Sequence, residues 1–222
     1  MATATPSISD QALKMQEAAA GRLPADVVEI FGNWTARLSA GGVPANVAEP
    51  GRTVSDVPLT DAHGVATSLH KVTAGNPAVL VFYRGAWCPY CNIALKTYGD
   101  QLLAPLSERG VGLVAISPQS PDGSLSAQET NALRFPVLTD AGNVLAGELG
   151  ILAPARGADV KEAQERLGLD LAAVNADGTD ELPMPTVVIL DAHSVIRWID
   201  VHPDYTTRSE VGDILAAIDR VL

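Results

Sequence analysis

The feature that most constrains the chain is an apolar run that leads straight into its only two cysteines. Ala78 to Tyr83 (Ala-Val-Leu-Val-Phe-Tyr) is continuous and of strand length. A run of that kind suits a central strand covered on both faces. Arg84-Gly-Ala-Trp follows, and then Cys88-Pro-Tyr-Cys91. A helix is expected from Pro89 to Glu108, and a proline in its first turn has no amide to leave unpaired. Both cysteines thus fall at a strand-to-helix junction. A helix N-terminus presents free amides and the positive end of the dipole, which favour thiolate over thiol. Their spacing lets the two sulfurs meet across one turn as a small disulfide.

The rest of the chain supplies a frame around that unit. Residues 1–45 read as a helical preface, with Leu13, Leu23, Val27, Val28, Ile30 and Phe31 as an apolar stripe broken at Gly21 and Pro24. Ser39 to Pro44 is a turn or linker by composition. Residues 46–222 read as one domain. Val57 to Leu69 suggests two short strands around a turn near Asp61 to Gly64. Gly112 to Ser117 is a second buried strand, Ser124 to Leu133 a helix, and Phe135 to Asp140 a further strand. That alternation describes βαβ units on a parallel sheet core. Residues 151–183 read as an insertion with one charged helix, Val160 to Leu167. Thr186 to Leu190 and Val195 to Val201 form a strand pair. The last helix is amphipathic through Val211, Ile214, Leu215, Ile218, Val221 and Leu222, and Thr207 with Glu210 matches a capping box at its start.

Composition narrows the classes of function. The chain has 222 residues, 47% hydrophobic, with 26 acidic and 15 basic side chains and a net charge of −11. This is enough for a packed core and argues against wholesale disorder. The negative field opposes binding to nucleic acid or to an anionic membrane. No apolar run approaches the roughly 18 residues of a membrane span, and no basic n-region precedes an apolar stretch. A cytoplasmic location is expected, where two cysteines act as redox or metal-binding groups and not as a disulfide scaffold. A zinc site would need two further ligands, and His63, His70, His193 and His202 are scattered, each reading as a surface or turn residue. No metal and no cofactor is expected.

The run Val79-Leu-Val-Phe-Tyr-Arg-Gly-Ala-Trp-Cys-Pro-Tyr-Cys-Asn resembles the peroxiredoxin-like branch of the alkyl hydroperoxide reductase/thiol-specific antioxidant group, within the thioredoxin-like superfamily. Leu113-Val-Ala-Ile-Ser-Pro-Gln, Phe135-Pro-Val-Leu-Thr-Asp, Pro185-Thr-Val-Val-Ile-Leu-Asp and Asp204-Tyr-Thr-Thr-Arg carry the resemblance from about residue 50 to the C-terminus. It implies an α/β, thioredoxin-like fold, a central mixed sheet flanked by helices, here with an N-terminal helical extension. The motif departs from peroxiredoxins proper. With Cys91 aligned to their peroxidatic cysteine, Arg84 takes the place of their proline and Cys88 that of their threonine or serine. Their later, peroxide-polarising arginine falls at about Pro185.

The resemblance implies a thiol-dependent peroxidase. Cys91 would attack hydrogen peroxide or an alkyl hydroperoxide, and Cys88 would resolve the sulfenic acid. Thioredoxin or a similar dithiol donor would restore the pair. Arg84 would lower the thiol pKa or orient the peroxide. Trp87, with Tyr83 and Tyr90, would shield the thiolate or simply pack. Pro185 would approach the cysteines through a cis Met184–Pro185 bond, as the proline of thioredoxin-type folds does. Two other readings stay open. In a thioredoxin-type disulfide oxidoreductase Cys88 would be the nucleophile, and in a redox-sensing module neither cysteine would turn over. Asp204, Tyr205 and Arg208 read as capping and ion pairing at the start of the last helix. Homodimerisation is a further expectation.

Overall fold

A computed structural model describes residues 6–222. Along the chain the elements are α1 (Ile8–Ala20), α2 (Ala25–Gly41), β1 (Pro58–Asp61), β2 (Ala66–Ser68), α3 (Leu69–Thr73), β3 (Ala78–Phe82) and α4 (Pro89–Thr97). A π-helical turn, Tyr98–Leu102, separates α4 from α5 (Leu103–Glu108). Then come β4 (Gly112–Ser117), α6 (Pro121–Thr130), β5 (Val137–Thr139), α7 (Val144–Glu148), α8 (Ala158–Arg166), α9 (Leu171–Val174), β6 (Thr186–Leu190), β7 (Ile196–Val201) and α10 (Val211–Val221). The seven strands form one mixed sheet in the order β2-β1-β5-β4-β3-β6-β7. β3 pairs in parallel with β4 and antiparallel with β6, and β4 pairs in parallel with β5.

The all-apolar sequence of β3 follows from this central place. Successive side chains of a strand point to opposite faces, so both faces must be apolar if both are covered. Val79, Val81 and Tyr83 pack on one side with Cys88, Cys91, Leu95 and Ile214. Ala78, Leu80 and Phe82 pack on the other with Leu69, Val114, Leu145 and Val188. β3 therefore ends, fully buried, directly beneath the first turn of α4.

The N-terminal preface contains two helices, as its pattern predicts; residues 1–5, and with them the non-basic start of the chain, lie outside the described residues. α1 lies against α4 and buries Ile8 in the same cluster as the two cysteines. α2 presents Trp34 and Leu38 to Val160 of α8 and to Tyr205. The insertion is held by an Arg156–Asp180 ion pair at 2.7 Å and by a bridge between Leu152 and Pro183.

The helix after Pro89 does run to Glu108, but it widens into the π turn at Tyr98. Such turns are rare and concentrate at functional sites. Two sequence expectations are corrected. The Met184–Pro185 bond is not cis: every peptide bond among the described residues is trans. The Pro185 carbonyl accepts the His202 amide at 2.8 Å and the Met184 amide donates to the Ile151 carbonyl at 2.7 Å. These bonds hold an extended chain on both sides of the residue, which is the conformation a trans X–Pro bond prefers. The capping box also fails. α10 begins at Val211 with Glu210 as its N-cap, and no side chain caps it.

Glu210 instead reaches the other end of the chain. Its two carboxylate oxygens accept the amides of Ile8 at 2.9 Å and Ser9 at 2.8 Å, orphan donors of the first turn of α1. Loss of a side-chain cap costs about 1 kcal/mol. Glu210→Ala is therefore expected to destabilise the protein by about that amount and to raise amide hydrogen exchange across Ile8–Ala20. Exchange in α10 should change little, and equal loosening of α10 would contradict this assignment.

Candidate active site

The chain leaves β3 through Tyr83 and Arg84, turns at Gly85, and enters α4 with Cys88 as its N-cap. Gly85 has φ +148°, and a Cβ there would lie 2.3 Å from Trp87 Nε1 and 2.8 Å from Gln119 Oε1. Only glycine fits that position. Gln119, at the end of β4, accepts the Ala86 amide at 2.6 Å, and Asn92 donates to the Ala86 carbonyl at 2.7 Å. Asn131 donates to Asn92 at 3.1 Å. The loop is thus fixed from β4, α4 and the end of α6 before either cysteine is considered.

Both cysteines are buried, Cys88 at 1% and Cys91 at 0% exposure, and both are free thiols. Cys91 Sγ accepts the Arg84 amide at 3.5 Å and Nη2 of Arg208 at 3.0 Å. Arg208 sits 117 residues further along the chain. Its other terminal nitrogen, Nη1, donates to the carbonyls of Tyr205 at 2.7 Å and Thr207 at 2.5 Å. The guanidinium is therefore clamped, with one edge on its own turn and the other on sulfur.

The turn that carries Arg208 is itself braced. Tyr98, the first residue of the π turn, donates its hydroxyl to the Ser209 carbonyl at 2.7 Å. Ser209 donates to Asp200 at 2.7 Å, and His202 Nε2 lies 3.1 Å from the same carboxylate oxygen. His202 Nδ1 meets the Thr207 hydroxyl at 2.8 Å. His202 is therefore half-buried in a network and is not the plain surface or turn residue expected. Arg208 likewise does not pair with an acid at the start of the helix. The sequence reading placed it away from the thiols, and the Asp204-Tyr-Thr-Thr-Arg resemblance was the available signal.

The electrostatics separate the two sulfurs. Burial alone would push the Cys91 thiol up. A hydrogen bond from Cys88, the Arg208 charge, the Arg84 amide and the Arg84 charge together outweigh it and hold Cys91 well below the ordinary thiol range. For Cys88 burial is again the largest influence. Its hydrogen bond to Cys91 and the Cys91 charge push the same way, so it is held well above that range despite both arginines. The two sulfurs are thus pushed in opposite directions, Cys91 toward thiolate and Cys88 toward thiol.

The Arg84 side chain lies against two aromatic rings. Its Cζ lies 4.9 Å from the Trp87 ring centre and 4.3 Å from that of Tyr205. Each such contact contributes about 0.5–2 kcal/mol, more where water is excluded. Tyr205 in turn stacks edge-on with Tyr90, their centres 6.0 Å apart. Arg84, Trp87 and the two cysteines are thus brought together as expected. Pro185 lines a cleft together with Arg84 and Tyr205. Among the described residues no group of three potential metal ligands occurs.

A CxxC pair at a strand–helix junction, with a guanidinium 3.0 Å from one sulfur, defines a thiol-based redox protein of thioredoxin-like fold. The profile of the AhpC/TSA family matches residues 50–199, and the chain belongs to that family. Arg208 lies beyond the matched span. Among solved structures the chain is similar to peroxidoxin BcpB from Mycobacterium tuberculosis, at 20% identity and TM-score 0.59, covering 78% of this chain and 98% of that one. It is also similar to reduced Prx3 from Vibrio vulnificus, solved in complex with hydrogen peroxide, at 19% identity and TM-score 0.62, covering 78% and 99%. A peroxiredoxin-like protein from Aquifex aeolicus shares the fold at 12% identity and TM-score 0.60, covering 79% and 89%. No curated protein matches the sequence. No helix among the described residues is long and apolar enough to cross a membrane.

Removing the Arg208 charge takes away an interaction that favours the Cys91 anion, so the thiol pKa must rise. Arg208→Met is expected to move the midpoint of thiolate ultraviolet absorbance to higher pH. Once that midpoint passes above neutral pH, each further unit cuts the thiolate fraction at neutral pH about tenfold. An unmoved midpoint in a folded variant would remove Arg208 from this role.

Proposed function

We propose that the protein is a two-cysteine thiol peroxidase in which Cys91 attacks the peroxide and Cys88 resolves. The observation that supports this order most directly is the Arg208 guanidinium, 3.0 Å from Cys91 Sγ. The peroxide must meet a thiolate, and Cys91 is the sulfur held as one. A positive charge beside the attacking sulfur also stabilises the developing alkoxide as the O–O bond breaks.

The Cys91 thiolate attacks the terminal oxygen of ROOH. An S–O bond forms, the O–O bond breaks, and RO⁻ leaves and takes a proton to become ROH. Cys91 is then a neutral sulfenic acid, and the negative charge that kept Cys88 protonated is gone. Burial still opposes the two arginines at Cys88, but the Cys91 charge and hydrogen bond no longer add to it, so the Cys88 pKa falls. Cys88 loses its proton and attacks the Cys91 sulfur. The S–S bond forms and the sulfenic oxygen leaves as water. A dithiol donor, thioredoxin or a protein like it, restores both thiols by exchange and becomes a disulfide itself. The order of events is thereby built into the charge of one sulfur.

Cys88 as the first nucleophile, in a disulfide oxidoreductase, is favoured by its N-cap position on α4. Its burial and its raised pKa oppose that reading. Cys91→Ser is expected to abolish peroxide consumption. Cys88→Ser should still form a sulfenic acid on Cys91, trapped by dimedone and located by mass spectrometry, but should lose multiple turnover with a dithiol reductant. Sulfenic acid found only on Cys88, with insulin reduction and no peroxide consumption in the unmutated protein, would install the oxidoreductase in its place.

A further inference from the structure

His202 is a titratable side chain beside the thiol site that the mechanism above does not use. It follows β7 directly, and its backbone amide donates to the Pro185 carbonyl at 2.8 Å, so it is rooted in the sheet. Its ring reaches across to the turn that carries Arg208. Nδ1 lies 2.8 Å from the Thr207 hydroxyl. Nε2 lies 3.1 Å from an Asp200 carboxylate oxygen and 3.3 Å from the Ser209 hydroxyl. Thr207 and Ser209 are the residues on either side of Arg208.

Counting hydrogens fixes the charge of the ring. A hydroxyl has one hydrogen to give, and Thr207 gives it to the Asp204 carbonyl at 3.0 Å. Its oxygen can then only accept, so Nδ1 donates. Asp200 is held below the ordinary carboxylate range, first by the His202 hydrogen bond and then, against burial, by that of Ser209. An ionised carboxylate accepts and does not donate, so Nε2 donates as well. A ring that donates from both nitrogens is an imidazolium. The other ionisable groups of the turn and its surroundings are Asp204, Arg208, Glu210, Tyr98 and Cys91. The Asp204 carboxylate is taken up by Thr206 and Ser39, Glu210 by the first turn of α1, the Tyr98 hydroxyl by the Ser209 carbonyl, and Arg208 by Cys91. Asp200 is thus the countercharge of the ring.

We propose that His202, as an imidazolium, is the positioning residue that sets the Arg208 guanidinium on Cys91. One ring nitrogen holds Thr207, whose carbonyl accepts Arg208 Nη1. The other holds Asp200, which accepts the Ser209 hydroxyl at 2.7 Å. The turn is gripped before and after the arginine, and Nη2 is delivered to sulfur. The attraction between guanidinium and thiolate falls with distance, so a loosened turn weakens it. The role is the same whether the thiolate meets a peroxide or a disulfide.

The test reads the thiolate itself in the full chain. His202→Leu is expected to raise the midpoint of thiolate ultraviolet absorbance by about one pH unit, a tenfold change in the ionisation of Cys91. In the Arg208→Met background the same substitution should move the midpoint no further, since the histidine acts through the arginine. Thr207→Val removes one arm of the grip and should raise the midpoint by less, again only while Arg208 is present. The ring nitrogen-15 signals of His202 at neutral pH should show a proton on both nitrogens. An unmoved midpoint in folded His202→Leu, or a shift that persists in the Arg208→Met background, would overturn the positioning role. A ring with one protonated nitrogen would overturn the imidazolium and the proposal with it. If His202→Leu does not fold, Thr207→Val with and without Arg208→Met decides by the same criteria. None of these readouts involves a peroxide, so a failed peroxidase assay leaves the proposal standing, and a failure here leaves the peroxidase reading standing.

Discussion

A guanidinium against a buried sulfur is the contact on which the rest of this molecule turns. Cys91 has no exposed surface, and a thiol so placed would ordinarily stay protonated. The Cys88 hydrogen bond and Arg208, at 3.0 Å, together oppose that, in a setting where excluded water leaves the attraction poorly screened. The burial that penalises the lone anion strengthens the pair once the cation is in place. It also makes the arrangement sensitive to position, which accounts for the bracing around it. The π turn that brings up Tyr98, the Asp200–His202–Ser209 network and the Arg208 hydrogen bonds to the Tyr205 and Thr207 carbonyls all hold one turn of chain before α10.

That turn also gathers the additions to the thioredoxin-like frame. Glu210, two residues after Arg208, caps α1, and α1 lies against the helix that begins with Cys88. Tyr205, three residues before Arg208, meets the Trp34 and Leu38 face of α2 and the side chain of Arg84. The N-terminal helices and the insertion therefore form walls of the sulfur pocket and its neighbouring cleft. A disturbance of α1 or α2 reaches the thiols through packing, since Ile8 of α1 shares their buried cluster.

Much of the fold was legible because its signals are local. The runs Ala78–Phe82, Gly112–Ser117 and Thr186–Leu190 are apolar throughout since each is covered on both faces, and that leaves a mark in a single line of sequence. The Cys-Pro-Tyr-Cys junction was equally visible, since a proline in a first helical turn and a three-residue spacing are properties of neighbours. The errors arose where partners are distant. Thr207 and Glu210 have the spacing of a capping box, but Glu210 finds better donors in α1, more than two hundred residues earlier in sequence. Pro185 sits where a thioredoxin-type proline would, but hydrogen bonds to Ile151 and His202 keep its neighbourhood extended and the bond trans.

From its sequence alone this chain was bound to place two cysteines at the head of a helix that follows a buried strand. Strand burial, helix-start chemistry and cysteine spacing are all decided within a few residues. Which sulfur carries the negative charge was a matter for the tertiary structure. Helix polarity by itself points to Cys88 at the N-cap, and the motif resemblance points to Cys91. The balance depends on the neighbouring Cys88 and on an arginine brought from beyond β7, because the energy of a charge on sulfur depends on what stands within a few ångströms of it in space.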